Sequence, residues 1–157
     1  MASADYVNTL AKVAGALAIK TIALSLLTVR ARLIKNDFST GRAMVAKEDT
    51  EIPPVIVSAL KVMTVAVGPS LDIGRLTGCQ NNGTTNEPFF LAVALSLALA
   101  GSSPAWGAKA LTAYLGFRVV HMGSYLFASP QPLRAVSWLG GTACTLALAV
   151  FALLKRK

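Results

Sequence analysis

Apolar residues are gathered into four stretches, and the polar positions around them set the expected elements. The first runs from about Val7 to Val29, interrupted by Lys12 and Lys20. The second, Pro88–Ala100 (PFFLAVALSLALA), reaches membrane-spanning length only if polar residues from about Asn82 join its helix. The third, Ala105–Phe127, has Lys109, Arg118 and His121 embedded in it, and the fourth, Val136–Leu154, carries no charge. A helix needs about 20 residues to cross a bilayer. The pattern therefore predicts four spans, over about 7–30, 82–101, 105–127 and 135–154.

The connections GSSP and SPQP are short enough to force antiparallel neighbours, so the expected fold is an all-α, up-down-up-down four-helix membrane bundle. The start lacks a basic segment ahead of its apolar run, and no convincing cleavage site follows, so the first stretch is read as a retained helix. A long connection over about 31–81 holds a further apolar piece, Val55–Val67. It is bounded by Pro53-Pro54 and Gly68-Pro69, is too short to span, and is read as lying along the interface. A fifth span there would reverse the sidedness of everything after it.

The first and third connections share one side and carry Arg30, Arg32, Lys35, Arg42, Lys47, Lys61, Arg75 and Arg134. The other side has only Lys155, Arg156 and Lys157 outside a helix. The positive-inside bias places the connections in the cytosol and both termini in a lumen or outside.

Composition strengthens the membrane reading. Of 157 residues, 54% are hydrophobic even without glycine and 14% are charged, against about 45–50% with glycine and about 25% in ordinary globular chains. Soluble enzymes, disordered tails and disulfide-stapled modules are poor readings of such a chain. The charges are also lopsided. All seven acidic residues lie at or before Glu87, so the cations beyond it (Lys109, Arg118, Arg134, Lys155, Arg156, Lys157) have no carboxylate in their own half.

The third stretch is the most informative. At 100° per residue, Tyr114, Arg118, His121 and Tyr125 share a stripe about 60° wide, whereas Lys109 falls on the opposite face near a helix end. A cation at mid-membrane costs at least about 2.5–3.5 kcal/mol on insertion scales and persists only where something stabilises it. One reading puts Arg118 at the membrane surface, paired with Glu87 or an interfacial phosphate. The other makes the stripe, with Arg134 beyond it, a site for an anionic ligand whose carboxylates arginine can bind bidentately.

Cys79 and Cys144 have no metal-like spacing and the chain has one histidine, so no metal site is expected. Basic residues spaced through apolar helices give nucleic-acid binding little support. The polar run Cys79–Glu87 contains Asn82-Gly83, a strong turn signal, and periodicity alone reads it as loop structure capping the second span. Asn82-Gly83-Thr84 is also an acceptor sequon, relevant only on a lumenal loop.

Arg118-Val-Val-His121-Met-Gly-Ser-Tyr125, followed by Pro130-Gln131-Pro132-Leu-Arg134, resembles the MAPEG family, the membrane-associated proteins of eicosanoid and glutathione metabolism. It looks most like the microsomal glutathione transferase and prostaglandin E synthase branch. Gln80-Asn81-Asn82 with Pro88-Phe89-Phe90-Leu91 is similar to the family's opening of the second helix, and Lys20 ahead of Arg32-Leu33 and Phe38 to the end of its first.

The resemblance implies a homotrimer in the endoplasmic reticulum membrane, in contact with membrane lipids. Glutathione would bind as co-substrate between subunits near the cytosolic side. Arg32 would reach it from an adjacent subunit, Gln80 and Asn82 would bind its polar backbone, and Arg118, His121 and Tyr125 its carboxylates and peptide groups. Arg134 would lie by the thiol as the catalytic residue, because a guanidinium lowers a thiol pKa and the thiolate is the nucleophile.

The implied activity is glutathione transfer to lipophilic electrophiles, or reduction of lipid hydroperoxides, with the apolar substrate arriving from the lipid. Three positions depart from the family pattern. Gly78 stands where an arginine is expected, Thr85 where a glutamate would meet the ligand's amino group, and Ala135 where some members have a hydroxyl. The first connection is also longer than expected. These departures keep open a non-catalytic lipid-binding or scaffold member of the same fold.

Overall fold

The computed structural model describes residues 3–35, 72–127, 129 and 131–155, and these form four helices. They are α1 (Ala4–Lys35), α2 (Ile73–Leu99), α3 (Gly107–Leu126) and α4 (Gln131–Leu154). The Val55–Val67 segment lies outside the described residues, as do Phe38, Arg42, Lys47 and Lys61.

Three helix boundaries have a clear local cause. The Ser3 hydroxyl accepts from the Tyr6 N–H at 3.2 Å at the start of α1, and Asp72 caps α2 by accepting from the Gly74 N–H at 2.9 Å. At the other end of α2 the Ser102 N–H donates to Leu97 O and the Gly101 N–H to Ala98 O. That closes the helix in a left-handed cap, which Gly101 permits with φ of 62°.

The sequence pattern reads the Cys79–Glu87 run as a loop, and the structure corrects this: the run is helical and belongs to α2. Its polar groups bond back onto the helix. Thr84 and Thr85 donate to Asn81 O, and the Asn86 amide donates to Asn82 O at 2.8 Å. Side chains able to satisfy themselves in this way make a polar stretch compatible with a helix despite its turn-like composition. Pro88 sits inside α2 as well.

α1 and α4 are each long and apolar enough to cross a membrane. α2 carries the polar run Cys79–Glu87, and α3 carries Arg118 and His121. α1 and α4 each pack on both α2 and α3, so they flank a central α2/α3 pair.

The interior is layered along the bundle axis. One apolar cluster joins Tyr6, Leu10, Val13 and Leu17 to Phe90, Ala94, Leu97, Leu111, Tyr114 and Leu148. A second, at the opposite end, joins Leu24 and Ala31 to Ile73, Leu76 and Cys79. Between them, at corresponding heights on all four helices, lie Lys20, Glu87, Arg118, His121 and Ser137, each buried.

Large apolar side chains such as Ile19, Ile22, Phe89, Leu139 and Leu146 point outward. This is the inverse of a soluble protein and what a lipid-facing exterior requires. α4 turns little more than a stripe inward, with Ser137, Gly141 and Leu148 buried.

Close approach of α3 and α4 depends on Gly140, where a Cβ would come within 2.5 Å of the Phe117 ring. Gly140→Ala is therefore expected to destabilise by about 1–3 kcal/mol through overpacking. It would be read as a lower thermal unfolding midpoint in detergent. An unchanged midpoint would contradict this packing.

Candidate functional site

The stripe anticipated on α3 is internal. Tyr114 is 0% exposed, Arg118 2% and His121 5%, and Tyr125 is half-buried against the second apolar cluster. Lys109, on the opposite face, is exposed. Arg118 therefore faces the bundle interior, and it does not pair with Glu87.

Arg118 Nη1 donates to Asn82 Oδ1 at 2.8 Å, and its guanidinium lies 5.0 Å from the centre of the Tyr114 ring. Tyr114 stacks on Phe90 with centroids 3.5 Å apart. Gly141 lies beside the guanidinium on the α4 side: a Cβ there would sit 3.4 Å from Arg118 Nε. Nε itself has no hydrogen-bond partner among the described residues.

Glu87 is engaged elsewhere. Its Oε1 accepts from Lys20 Nζ in an ion pair buried between α1 and α2. The Thr21 hydroxyl approaches Oε2 at 3.4 Å. Gly83 lies directly over this pair, since a Cβ at that position would be 3.2 Å from Glu87 Oε1 and 3.4 Å from Lys20 Nζ. Two long ionised side chains meet at this height because α2 offers no side chain there.

On the α3/α4 side, His121 Nδ1 lies 3.1 Å from Arg134 O and 3.2 Å from Ser137 Oγ. Its ring meets Tyr125 edge-on at 5.3 Å, and the Arg134 guanidinium lies 5.1 Å from the Tyr125 centroid. Arg134 is half-buried, and its Nε has no hydrogen-bond partner among the described residues.

The structure thus brings Asn82, Arg118, His121, Tyr125 and Arg134 together. Gln80 joins from the α1 side, its amide donating to Ser25 Oγ at 3.1 Å. Arg32 is half-buried near the end of α1, and no hydrogen bond links it to this cluster. Pattern reading overlooked Ser137 and Ser25 as contributors. Ser137 was detectable in principle: it shares a helix face with Gly141 and Leu148, the inward stripe of α4.

One carboxylate faces three cations in this layer: Glu87 against Lys20, Arg118 and Arg134. Two positive charges are left without an acidic partner among the described residues, beside neutral hydrogen-bonding groups. That arrangement suits an anion with several polar groups.

Comparison with family models gives a match to the MAPEG family over residues 10–154. The chain belongs to the MAPEG family. MAPEG proteins are helical membrane bundles and include glutathione transferases, glutathione-dependent peroxidases and other members. Comparison with individual curated proteins returns no match.

In this MAPEG chain a Cβ on Gly78 would lie 3.2 Å from Tyr125 Cε1, so the tyrosine ring would have to give by a few tenths of an ångström. Thr85 is exposed and donates to backbone carbonyls of its own helix. It points away from Arg118, while Glu87, about 200° further round the helix, points inward.

Removing one member of the Lys20–Glu87 pair strands the other charge. Glu87→Ala should cost about 3–5 kcal/mol, whereas the double variant Lys20→Met/Glu87→Leu should recover most of that loss. Denaturant titration in detergent would measure both. If the double variant proved as unstable as the single, the pair would have a role beyond mutual neutralisation.

Proposed function

We propose that this MAPEG protein is a membrane glutathione transferase or glutathione-dependent peroxidase of the microsomal transferase and prostaglandin E synthase type. The observation that carries the reading is Arg118, almost wholly buried, with Asn82 as its hydrogen-bond partner and no carboxylate paired with it among the described residues. Glutathione in its thiolate form has two carboxylates and a thiolate against one ammonium. It would bring the two negative charges that the layer lacks, and Arg118 suits a carboxylate bidentately.

In this reading Gln80, Asn82, Arg118, His121 and Tyr125 bind the tripeptide and Arg134 lies by its sulfur. A guanidinium beside the thiol favours loss of its proton and keeps the sulfur nucleophilic. With an electrophile, the sulfur forms a bond to carbon as the leaving group departs with its electron pair. With a hydroperoxide, sulfur bonds to the terminal oxygen, the O–O bond breaks, and the departing alkoxide takes up a proton.

The proposed assembly is a homotrimer spanning the endoplasmic reticulum membrane four times per subunit, with lumenal termini. Arg32 would then reach a neighbour's ligand, in keeping with its lack of partners in its own cluster. Exposure of Asn81, Thr84 and Thr85 along one side of α2 favours cover by a neighbouring subunit rather than by lipid. A second reading, a lipid-binding or scaffold protein without catalysis, draws on one observation. The buried carboxylate is held by Lys20, so a ligand ammonium has no free acid in this layer.

Calorimetry on detergent-solubilised protein should show glutathione binding at millimolar concentration or below. Arg118→Ala should weaken it roughly tenfold or more, the loss of a charge-assisted hydrogen bond of about 1.5–3 kcal/mol. Absence of binding at millimolar glutathione would overturn the proposal. Binding without turnover of any electrophile or hydroperoxide would favour the second reading.

Arg134→Ala should lower conjugation rate far more than glutathione affinity, with loss of the thiolate's ultraviolet absorbance in the complex. Unchanged conjugation would remove Arg134 from the mechanism. Chemical crosslinking should stop at trimer, and a ladder ending at dimer or tetramer would contradict the assembly.

A further inference from the structure

The hydrogen bonds of His121 assign its tautomer. Nδ1 faces Arg134 O at 3.1 Å and Ser137 Oγ at 3.2 Å. A carbonyl oxygen only accepts, so a bond between it and Nδ1 requires the proton on Nδ1. The opposite tautomer would set two lone pairs against each other at that distance. Ser137 agrees with this choice. Its single hydroxyl proton is directed to Leu133 O at 2.7 Å, closer than to Arg134 O at 3.1 Å. The serine oxygen is thereby left to accept from Nδ1–H.

In the neutral ring the other nitrogen then carries a lone pair. Nε2 is buried and has no hydrogen-bond partner among the described residues. It lies on the α3 stripe with Arg118, and a neutral ring there can only accept. We infer that Ser137, together with the Arg134 carbonyl, is a positioning residue that holds His121 as the Nδ1–H tautomer and turns Nε2 into an acceptor for an N–H of the bound thiol peptide. The identity of that ligand rests on the proposed function; the tautomer does not. The assignment changes the role implied by family resemblance, because a neutral Nε2 cannot donate to a carboxylate. Carboxylate recognition falls to Arg118, and His121 selects for a hydrogen-bond donor on the ligand.

The chain has one histidine, so protein labelled with ¹⁵N in the histidine ring gives a single pair of ring signals. Ligand-free protein in nanodiscs should show a protonated, pyrrole-type Nδ1 and an unprotonated, pyridine-type Nε2. Ser137→Ala should move both signals toward those of a tautomer mixture and weaken glutathione binding roughly threefold to tenfold, the worth of one neutral hydrogen bond. Thr28→Val, which removes a buried hydroxyl bonded to Leu24 O in α1, should leave signals and affinity unchanged.

Titration with glutathione should shift Nε2 in the direction of an accepted hydrogen bond; glutathione that binds and leaves Nε2 unmoved would refute the acceptor role. A proton found on Nε2 in the ligand-free protein would overturn the inference, as would Ser137→Ala signals matching the parent. The expected tautomer with no glutathione binding would uphold the positioning role and overturn the function instead.

Discussion

The constraint on which this structure depends is the cost of placing charge between two apolar layers. Lys20, Glu87 and Arg118 are all buried at mid-bundle, where an isolated ion is far more costly than at the surface. Much of the local sequence follows from that. Gly83 is small so that Lys20 and Glu87 can meet, and Gly141 lies beside the Arg118 guanidinium, where a Cβ would be at ordinary van der Waals distance. Tyr114, sandwiched between Phe90 and the Arg118 guanidinium, gives the cation an aromatic face where no carboxylate is present. The apolar clusters above and below keep bulk water from doing the same work.

The layer is divided into two unlike halves. Between α1 and α2 the charges cancel, and the polar contacts are internal: Lys20 with Glu87, Thr21 beside them, Gln80 with Ser25. Between α3 and α4, Arg118 and Arg134 are cationic with no acid in contact, and Arg118 Nε, Arg134 Nε and His121 Nε2 make no hydrogen bond among the described residues. The first half resembles structural reinforcement. The second has the polarity of a recognition surface, with the rigid partners of His121 and Tyr125 fixing its geometry.

Legibility in the sequence varied with the type of signal. The α3 stripe was readable because helical periodicity alone aligns Tyr114, Arg118, His121 and Tyr125, and an arginine in an apolar run demands explanation. The polar opening of α2 was misread because Asn82-Gly83 and the surrounding threonines have turn-like composition. Their side chains instead bond to carbonyls three and four residues back, which a propensity argument does not capture. The Lys20–Glu87 pair was not legible either, being a contact between residues far apart in sequence whose partners could each have been surface charges. Ser137 is a small uncharged residue within an apolar run, and only its position opposite His121 gives it a part.

The arrangement also explains why Glu87, the only buried carboxylate among the described residues, stands where it does. Had the inward-facing acid of α2 met Arg118 instead of Lys20, the guanidinium would have been neutralised within the chain, and an anionic ligand would have had to displace that acid. Lys20 prevents this by holding Glu87 on the α1 side. Asn82, one turn of α2 earlier, offers Arg118 a neutral acceptor that orients the guanidinium without cancelling its charge. The ion pair and the asparagine thus act on the same requirement from two sides: they let a cation be buried, ordered and still attractive to an anion.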